Sequence, residues 1–312
     1  MGPVRPLRFG LAGTGHWARI THAPALASAD GIEFAAVWGR NHEAAAALAA
    51  EYGAVACRDL DVFLAEVDAV AFSVPPDVQC AIAEQAAAAG KHLLLEKPIA
   101  TSDADASRLV RAAADNGVAT VAFFTARFQP EIRAWLADVA TAGGWAGGCA
   151  VWLGSAWQQA SPFNTAWRRD KGGLWDLAPH VISLLWASLG PVASVTADAG
   201  RDDIAHLVLH HDSGATSTMT VTLSASEAAA GFSLQLWGEH GRSAAPADAT
   251  EPQAALRTAL TELAAGARAG RLAHPCDVQF GRAVGRVLAE AQRQLDAARS
   301  GSVNCCTPGS AR

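Results

Sequence analysis

The stretch that most constrains this chain is residues 7–18. A short apolar run, Leu7 to Ala12, ends at Gly13, and Gly15 and Ala18 follow before a helix-length apolar pattern. A strand that turns into a helix through Gly-x-Gly-x-x-Ala has a narrow physical job. Gly13 allows a tight turn, Gly15 lets the backbone approach a pyrophosphate, and Ala18 lets the helix lie close to a sheet. The first N–H groups of that helix then face the anion. Thr14, His16 and Trp17 complete the loop. An ordinary glycine turn is the alternative, and the flanking strand and helix favour the dinucleotide reading.

Strand and helix patterns then alternate without interruption to residue 124. Strands are expected at 7–12, 33–38, 54–57, 69–74, 92–95 and 118–124, and helices at 17–28, 43–52, 62–66, 78–89 and 104–116. Ser102 and Asp105 resemble a capping box at the start of the last helix. Stretches such as 69–74 are apolar on both faces, as strands of a parallel sheet covered on each side must be. The expectation is an α/β, doubly wound Rossmann domain over residues 1–124.

The second strand ends in Trp38-Gly39-Arg40-Asn41. A site for NAD usually carries Asp or Glu here for the ribose 2′-hydroxyl. Arg40 is instead suited to a 2′-phosphate, so NADP(H) is favoured and NAD(H) remains possible. Ser73 and Pro75 follow strand four, and Glu96 and Lys97 follow strand five, at the carboxyl edge where ligands bind in open α/β folds. Lysine occurs only at 91, 97 and 171. Lys97 is therefore a candidate functional amine, with a salt-bridged surface lysine as the alternative.

Beyond 124 the pattern changes. A helix is expected at 131–140, strands at 149–157, 192–199, 204–211, 215–224 and 232–238, and helices at 253–269 and 278–299. Successive strands without helices between them predict a second α+β domain, 125–312, with a large, open, mainly antiparallel sheet. The Ala/Pro/Asp-rich stretch 244–250 reads as a mobile loop. Within 172–189, Gly172-Gly173 precedes Asp176 and His180, expected to open a helix on which these two share a face. A carboxylate beside an imidazole suits proton transfer near neutral pH, and a helix cap with a hydrogen-bonded core histidine would look the same.

A net charge of −6 with no basic stripe argues against a nucleic-acid partner. No stretch is apolar enough to span a membrane, and the first residues lack a signal core, so a cytoplasmic location is expected. The cysteines at 57, 80, 149, 276, 305 and 306 show no metal-ligand spacing. Cys57 and Cys80 are expected to be buried thiols, and Cys305-Cys306 receives no role.

Taken together, Gly13-x-Gly15-x-x-Ala18, Gly90-Lys91-His92…Glu96-Lys97-Pro98, Arg127-Phe128-x-Pro130 and Gly172-Gly173…Asp176…His180 resemble the glucose–fructose oxidoreductase/inositol dehydrogenase (Gfo/Idh/MocA) family over nearly the whole chain. The resemblance implies hydride transfer between a nicotinamide and a secondary alcohol or ketone. Lys97 would hydrogen-bond the reacting oxygen, His180 would act as general acid/base, and Asp176 would orient it. Arg127 joins the expected cofactor contacts. Some members use Tyr in place of the histidine, but the only tyrosine here, Tyr52, lies on an early helix. Ala178, Ser183 and Gln79 depart from the usual Gly, Asp and His, which puts a standard polyol-binding pattern in doubt. Trp157, Trp167, Arg168 and Arg169 are candidate contacts for a sugar, nucleotide sugar or cyclitol, with packing as the alternative for each tryptophan. A homodimer or homotetramer through the C-terminal sheet is implied. The rival functions are a non-catalytic NAD(P)-binding sensor and an enzyme that uses tightly held nucleotide for elimination or hydrolysis by transient oxidation.

Overall fold

In a computed structural model, residues 5–246 and 251–303 are described. They form two units, 5–134 with 251–285, and 135–246 with 286–303. Most of 244–250 and the pair Cys305-Cys306 lie outside the described residues.

The first unit is built on a parallel sheet of strands β1 (Leu7–Ala12), β2 (Ile32–Trp38), β3 (Val55–Cys57), β4 (Ala69–Phe72), β5 (His92–Glu96) and β6 (Thr120–Phe123). Their order, β3-β2-β1-β4-β5-β6, reverses direction of growth at β1, the doubly wound arrangement expected from the alternation. Phe9, Leu11, Phe72, Leu93, Leu94, Leu95 and Phe123 are fully or almost fully buried, which explains why these strands lack a polar face. Helices α1 (Ala23–Ser28), α2 (His42–Tyr52), α3 (Leu60–Ala65), α4 (Pro76–Ala88) and α5 (Asp103–Asp115) connect them. Ser102 caps α5: its hydroxyl accepts from the Asp105 N–H at 3.1 Å. The helix expected at 17–28 opens as a wide π-helical turn, Ala18–His22, before tightening into α1.

Helix α6 (Pro130–Ala142) follows a 3₁₀ turn at Thr125–Phe128. The sequence division assigned everything after 124 to a second domain. The chain instead returns: α9 (Pro252–Arg268) packs on α1, β5, β6 and the 125–128 turn, within the first unit. Its anchor is electrostatic. Glu262 on α9 pairs with Arg133 and accepts from His274 Nε2 at 3.1 Å, while His274 Nδ1 accepts from the Cys276 N–H at 3.0 Å. The Phe128 ring lies 5.9 Å from that of His274, stacked on it, and 5.1 Å from the Arg133 guanidinium carbon. Burial would push the Glu262 carboxyl up, but the hydrogen bonds from Arg133 and His274 hold it down, at about 2. Such a long-range pair has no local signature.

The second unit carries a six-stranded sheet ordered β12-β11-β7-β10-β9-β8. Its strands are β7 (Trp145–Leu153), β8 (Val192–Ala199), β9 (Ala205–His211), β10 (Thr216–Thr222), β11 (Gly231–Gly238) and β12 (Gly241–Ala244). All pairings are antiparallel except β7 with β10. β7 starts and ends four residues earlier than its expected span, so Trp157 stands in the loop beyond the strand. Along β9, Ala205, Leu207, Leu209 and His211 are buried while His206 and His210 are exposed, the alternation of a sheet with one covered face. The cover is α8 (Ala178–Leu189), whose Val181, Ile182, Leu184 and Leu185 are buried and which packs on β7 and β10. α7 (Ala166–Asp176) precedes it and α10 (Val278–Val303) closes the described chain. Among the described residues, no helix is long and apolar enough to cross a membrane. Cys57, Cys80 and Cys276 are buried, and burial pushes each thiol up, Cys80 and Cys276 to about 11.

Candidate functional site

In the first unit the glycine loop lies at the carboxyl ends of β1, β2 and β4. The Gly13 N–H donates to Trp38 O at 2.8 Å, and the Ser73 N–H donates to Ala12 O at 2.8 Å. Gly13 has φ +131°, and a Cβ there would stand 2.2 Å from Ser73 O, so no other residue fits. A Cβ on Gly15 would meet nothing within 4 Å. Helical turns begin directly beyond it, at His16, with Ala18 fully buried. Open space above Gly15 at the start of a helix fits a bound dinucleotide phosphate. A Cβ on Gly39 would meet the Thr14 methyl at 2.9 Å, which brings Thr14 to the end of β2. Arg40 follows, exposed, and Asn41 caps α2. His16 is exposed in the loop, and Pro75 opens α4.

At the end of β5 the Glu96 carboxylate accepts from the Trp17 indole N–H at 2.7 Å and lies 2.8 Å from His22 Nε2. His22 is fully buried. Lys97, half-buried, follows, and its peptide bond to Pro98 is cis. Arg127, half-buried in the 3₁₀ turn, places its guanidinium carbon 5.8 Å from the centre of the Phe280 ring. Thus the structure brings Thr14 to the β2 end and Trp17 to Glu96, within one unit.

In the second unit the helix expected to open at the double glycine is differently built. α7 runs from Ala166, bends at Gly172 (φ +63°, ψ −167°) and ends at Asp176, and α8 starts at Ala178. A Cβ on Gly173 would stand 2.7–3.0 Å from the backbone of Thr222, so the glycine lets α7 touch the end of β10. Asp203 holds this contact: its carboxylate accepts from the N–H groups of Gly173 (2.8 Å) and Leu223 (2.7 Å) and from the Thr222 hydroxyl (2.5 Å). Sequence reading missed Asp203, because nothing local marks a carboxylate whose partners lie 19–30 residues away.

Asp176 and His180 are both buried. Asp176 Oδ2 accepts from Arg168 Nε at 2.7 Å, and the His180 ring lies 5.5 Å from that of Trp152, tilted at 44° to it. Arg168 is fixed in turn, its carbonyl accepting from the Trp157 indole at 3.1 Å. Arg169 lies 5.0 Å over the Trp157 ring and donates to Asn164 Oδ1 at 2.7 Å. The Trp167 indole N–H is buried without a hydrogen-bond partner among the described residues. The four expected substrate contacts therefore belong to one loop-and-helix segment, and Arg168 is engaged by Asp176.

The oxidoreductase family with an NAD-binding Rossmann fold, GFO/IDH/MocA, matches residues 7–124, and the GFO/IDH/MocA C-terminal domain matches residues 148–244. The chain belongs to the GFO/IDH/MocA family. Among curated relatives, this family member is 35% identical over 127 residues to UDP-N-acetylglucosamine 3-dehydrogenase of Acidithiobacillus ferrooxidans, covering 41% of this chain and 40% of that protein. It is 33% identical over 133 residues to inositol 2-dehydrogenase of Rhizobium meliloti, covering 41% and 39%. The matched stretch thus spans about two-fifths of the length of these relatives. Among solved structures, the WlbA dehydrogenase of Bordetella pertussis in complex with NADH and UDP-GlcNAcA superposes with a TM-score of 0.80 at 25% identity, covering 95% of this chain and 98% of that one.

Proposed function

We propose that this protein is an NADP(H)-dependent oxidoreductase that moves hydride between the cofactor and a secondary alcohol or ketone of a sugar, nucleotide sugar or cyclitol. The observation that carries the reading is the Gly13–Ala18 loop, whose open Gly15 at the start of a helix suits a dinucleotide phosphate. Bound NADP(H) would supply or accept the hydride at its nicotinamide ring. Gly13, Thr14, Gly15, His16 and Trp17 would line the phosphates, with Ser73, Pro75, Glu96 and Arg127 as further contacts. Lys97 hydrogen-bonds the reacting oxygen, and His180 takes or returns the hydroxyl proton. Asp176 orients the imidazole and is itself held by Arg168. The Trp167 indole N–H, buried without an acceptor among the described residues, suits a substrate hydroxyl. Pairing through the outward face of the second sheet, where His206, His210, Thr216 and Thr218 are exposed, supports a homodimer or homotetramer. The free buried thiols suit a reducing cytoplasm.

Support for NADP(H) is the exposed Arg40 at the end of β2 and the absence of a carboxylate there. NAD(H) is the second reading, favoured by the NADH in the WlbA complex. Thermal unfolding with no cofactor, NADPH or NADH decides between them. At about 100 times its dissociation constant a ligand stabilises the native state by about 2.7 kcal/mol. A larger rise with NADPH, lost in Arg40→Ala, is expected. Equal rises in the wild type would make Arg40 a bystander. No rise with either, in protein shown to carry no nucleotide, would remove the dehydrogenase reading.

A further inference from the structure

We infer that Gln79 is the positioning residue for Lys97. This rests on the reading above that Lys97 serves the reacting oxygen. Gln79 lies on α4, fully buried. Its Oε1 accepts from the Glu96 N–H at 2.7 Å, and its Nε2 donates to Glu96 O at 2.8 Å. The same Nε2 lies 3.3 Å from Ile99 O and 3.4 Å from Pro98 O. These contacts bracket Lys97 on both sides along the chain.

The sheet explains why a side chain is needed there. β4 pairs with β5 only as far as Leu94, whereas β6 continues opposite Glu96. The Glu96 peptide groups would otherwise end in a buried region without a partner on the β4 side. A carboxamide presents a donor and an acceptor side by side, as a peptide does, so Gln79 supplies the missing rung. An imidazole cannot do the same, because its two nitrogens point apart and only one can face a given peptide. Gln79, which stands where the family often has His, is thus a backbone clamp in this chain rather than a substrate-binding group.

The Glu96 side chain is tied separately to Trp17 and His22. Main chain and side chain of the preceding residue are then both fixed, and the segment following Lys97 is held by Gln79 as well. The backbone on either side of Lys97 is thereby held in place. A misplacement of about 1 Å at such a group costs on the order of 100-fold in rate.

The chain has lysines only at 91, 97 and 171, which makes a direct test practical. Reductive ¹³C-methylation of the full chain labels these amines, and Lys97→Arg assigns the Lys97 resonance. Two variants remove the clamp. Gln79→Met keeps the volume and removes every polar bond. Gln79→Glu keeps the acceptor but turns an oxygen toward the three carbonyls. In both, the Lys97 resonance is expected to move by more than its linewidth while those of Lys91 and Lys171 stay in place. Should either variant fail to fold by far-UV circular dichroism, Gln79→His, which retains a single bond, is read in its place with the same expectation. A folded variant whose Lys97 resonance is unmoved overturns the proposal, as does equal movement of all three lysines. Turnover is measured in parallel on UDP-N-acetylglucosamine and myo-inositol with NADP and NAD, where Gln79→Met is expected to lose about 100-fold. If Lys97→Ala leaves turnover unchanged, the role of Lys97 in catalysis fails, yet the resonance still reports whether Gln79 positions it.

Discussion

Replacing Glu262 with Gln tests whether one ion-pair cluster returns α9 to the first unit. The carboxylate is held at about 2 against an ordinary 4.5, with Arg133 and His274 overriding the burial that would raise it. At ~1.36 kcal/mol per pH unit the difference corresponds to about 3 kcal/mol. Its side chain is 32% exposed, and solvent screening brings the expected contribution nearer to ~2 kcal/mol. Because the folded-state value is depressed, this stability is fully present above the unfolded value near 4.5 and is lost as pH falls through about 2. Glu262→Gln keeps an acceptor but no charge. At pH 7 it should unfold about 4–8 °C below the wild type, on a scale of about 2–4 °C per kcal/mol for a unit of this size. The assay is thermal unfolding of both proteins between pH 7 and pH 2. Other carboxylates titrate in both, so the difference isolates Glu262. The gap should narrow steadily below pH 4.5. A gap that is absent at pH 7, or equally wide at pH 3, would refute the reasoning.

Two further outcomes concern the second unit. Asp203→Ala should destabilise it by on the order of 3 kcal/mol, since the N–H groups of Gly173 and Leu223 and the Thr222 hydroxyl lose their shared acceptor. Urea unfolding followed by tryptophan fluorescence measures this, and a wild-type midpoint would show that Asp203 does not hold α7 to β10. His180→Ala should lower turnover by about 100-fold or more and flatten the pH–rate profile, and a near-normal rate and profile would remove the acid/base assignment.

Local chemistry wrote much of the first unit into the sequence. Its helix starts, glycine loop and doubly apolar strands follow from capping, backbone conformation and burial, each readable within a dozen residues. The Gly13–Ala18 loop could be recognised because every constraint on it is local, down to the Ser73 carbonyl that forbids a side chain at Gly13. Alternation likewise made five of the six strands of the second sheet legible, while the short edge strand β12 was not expected. It could not reveal the parallel β7–β10 pair, because partner choice depends on where the chain returns after α7 and α8.

What the sequence by itself determined is therefore the inventory: a dinucleotide loop, a lysine after β5, and a carboxylate and histidine near a double glycine. Only the tertiary structure decided how these groups are held. It assigned Gln79 to the backbone around Lys97, Arg168 to Asp176, Asp203 to the bend at Gly172-Gly173, and α9 to the first unit. The physical reason is common to all four. A buried polar group must find its partner, and these partners are brought together by folding across 8 to 129 positions of chain, beyond the reach of any local pattern.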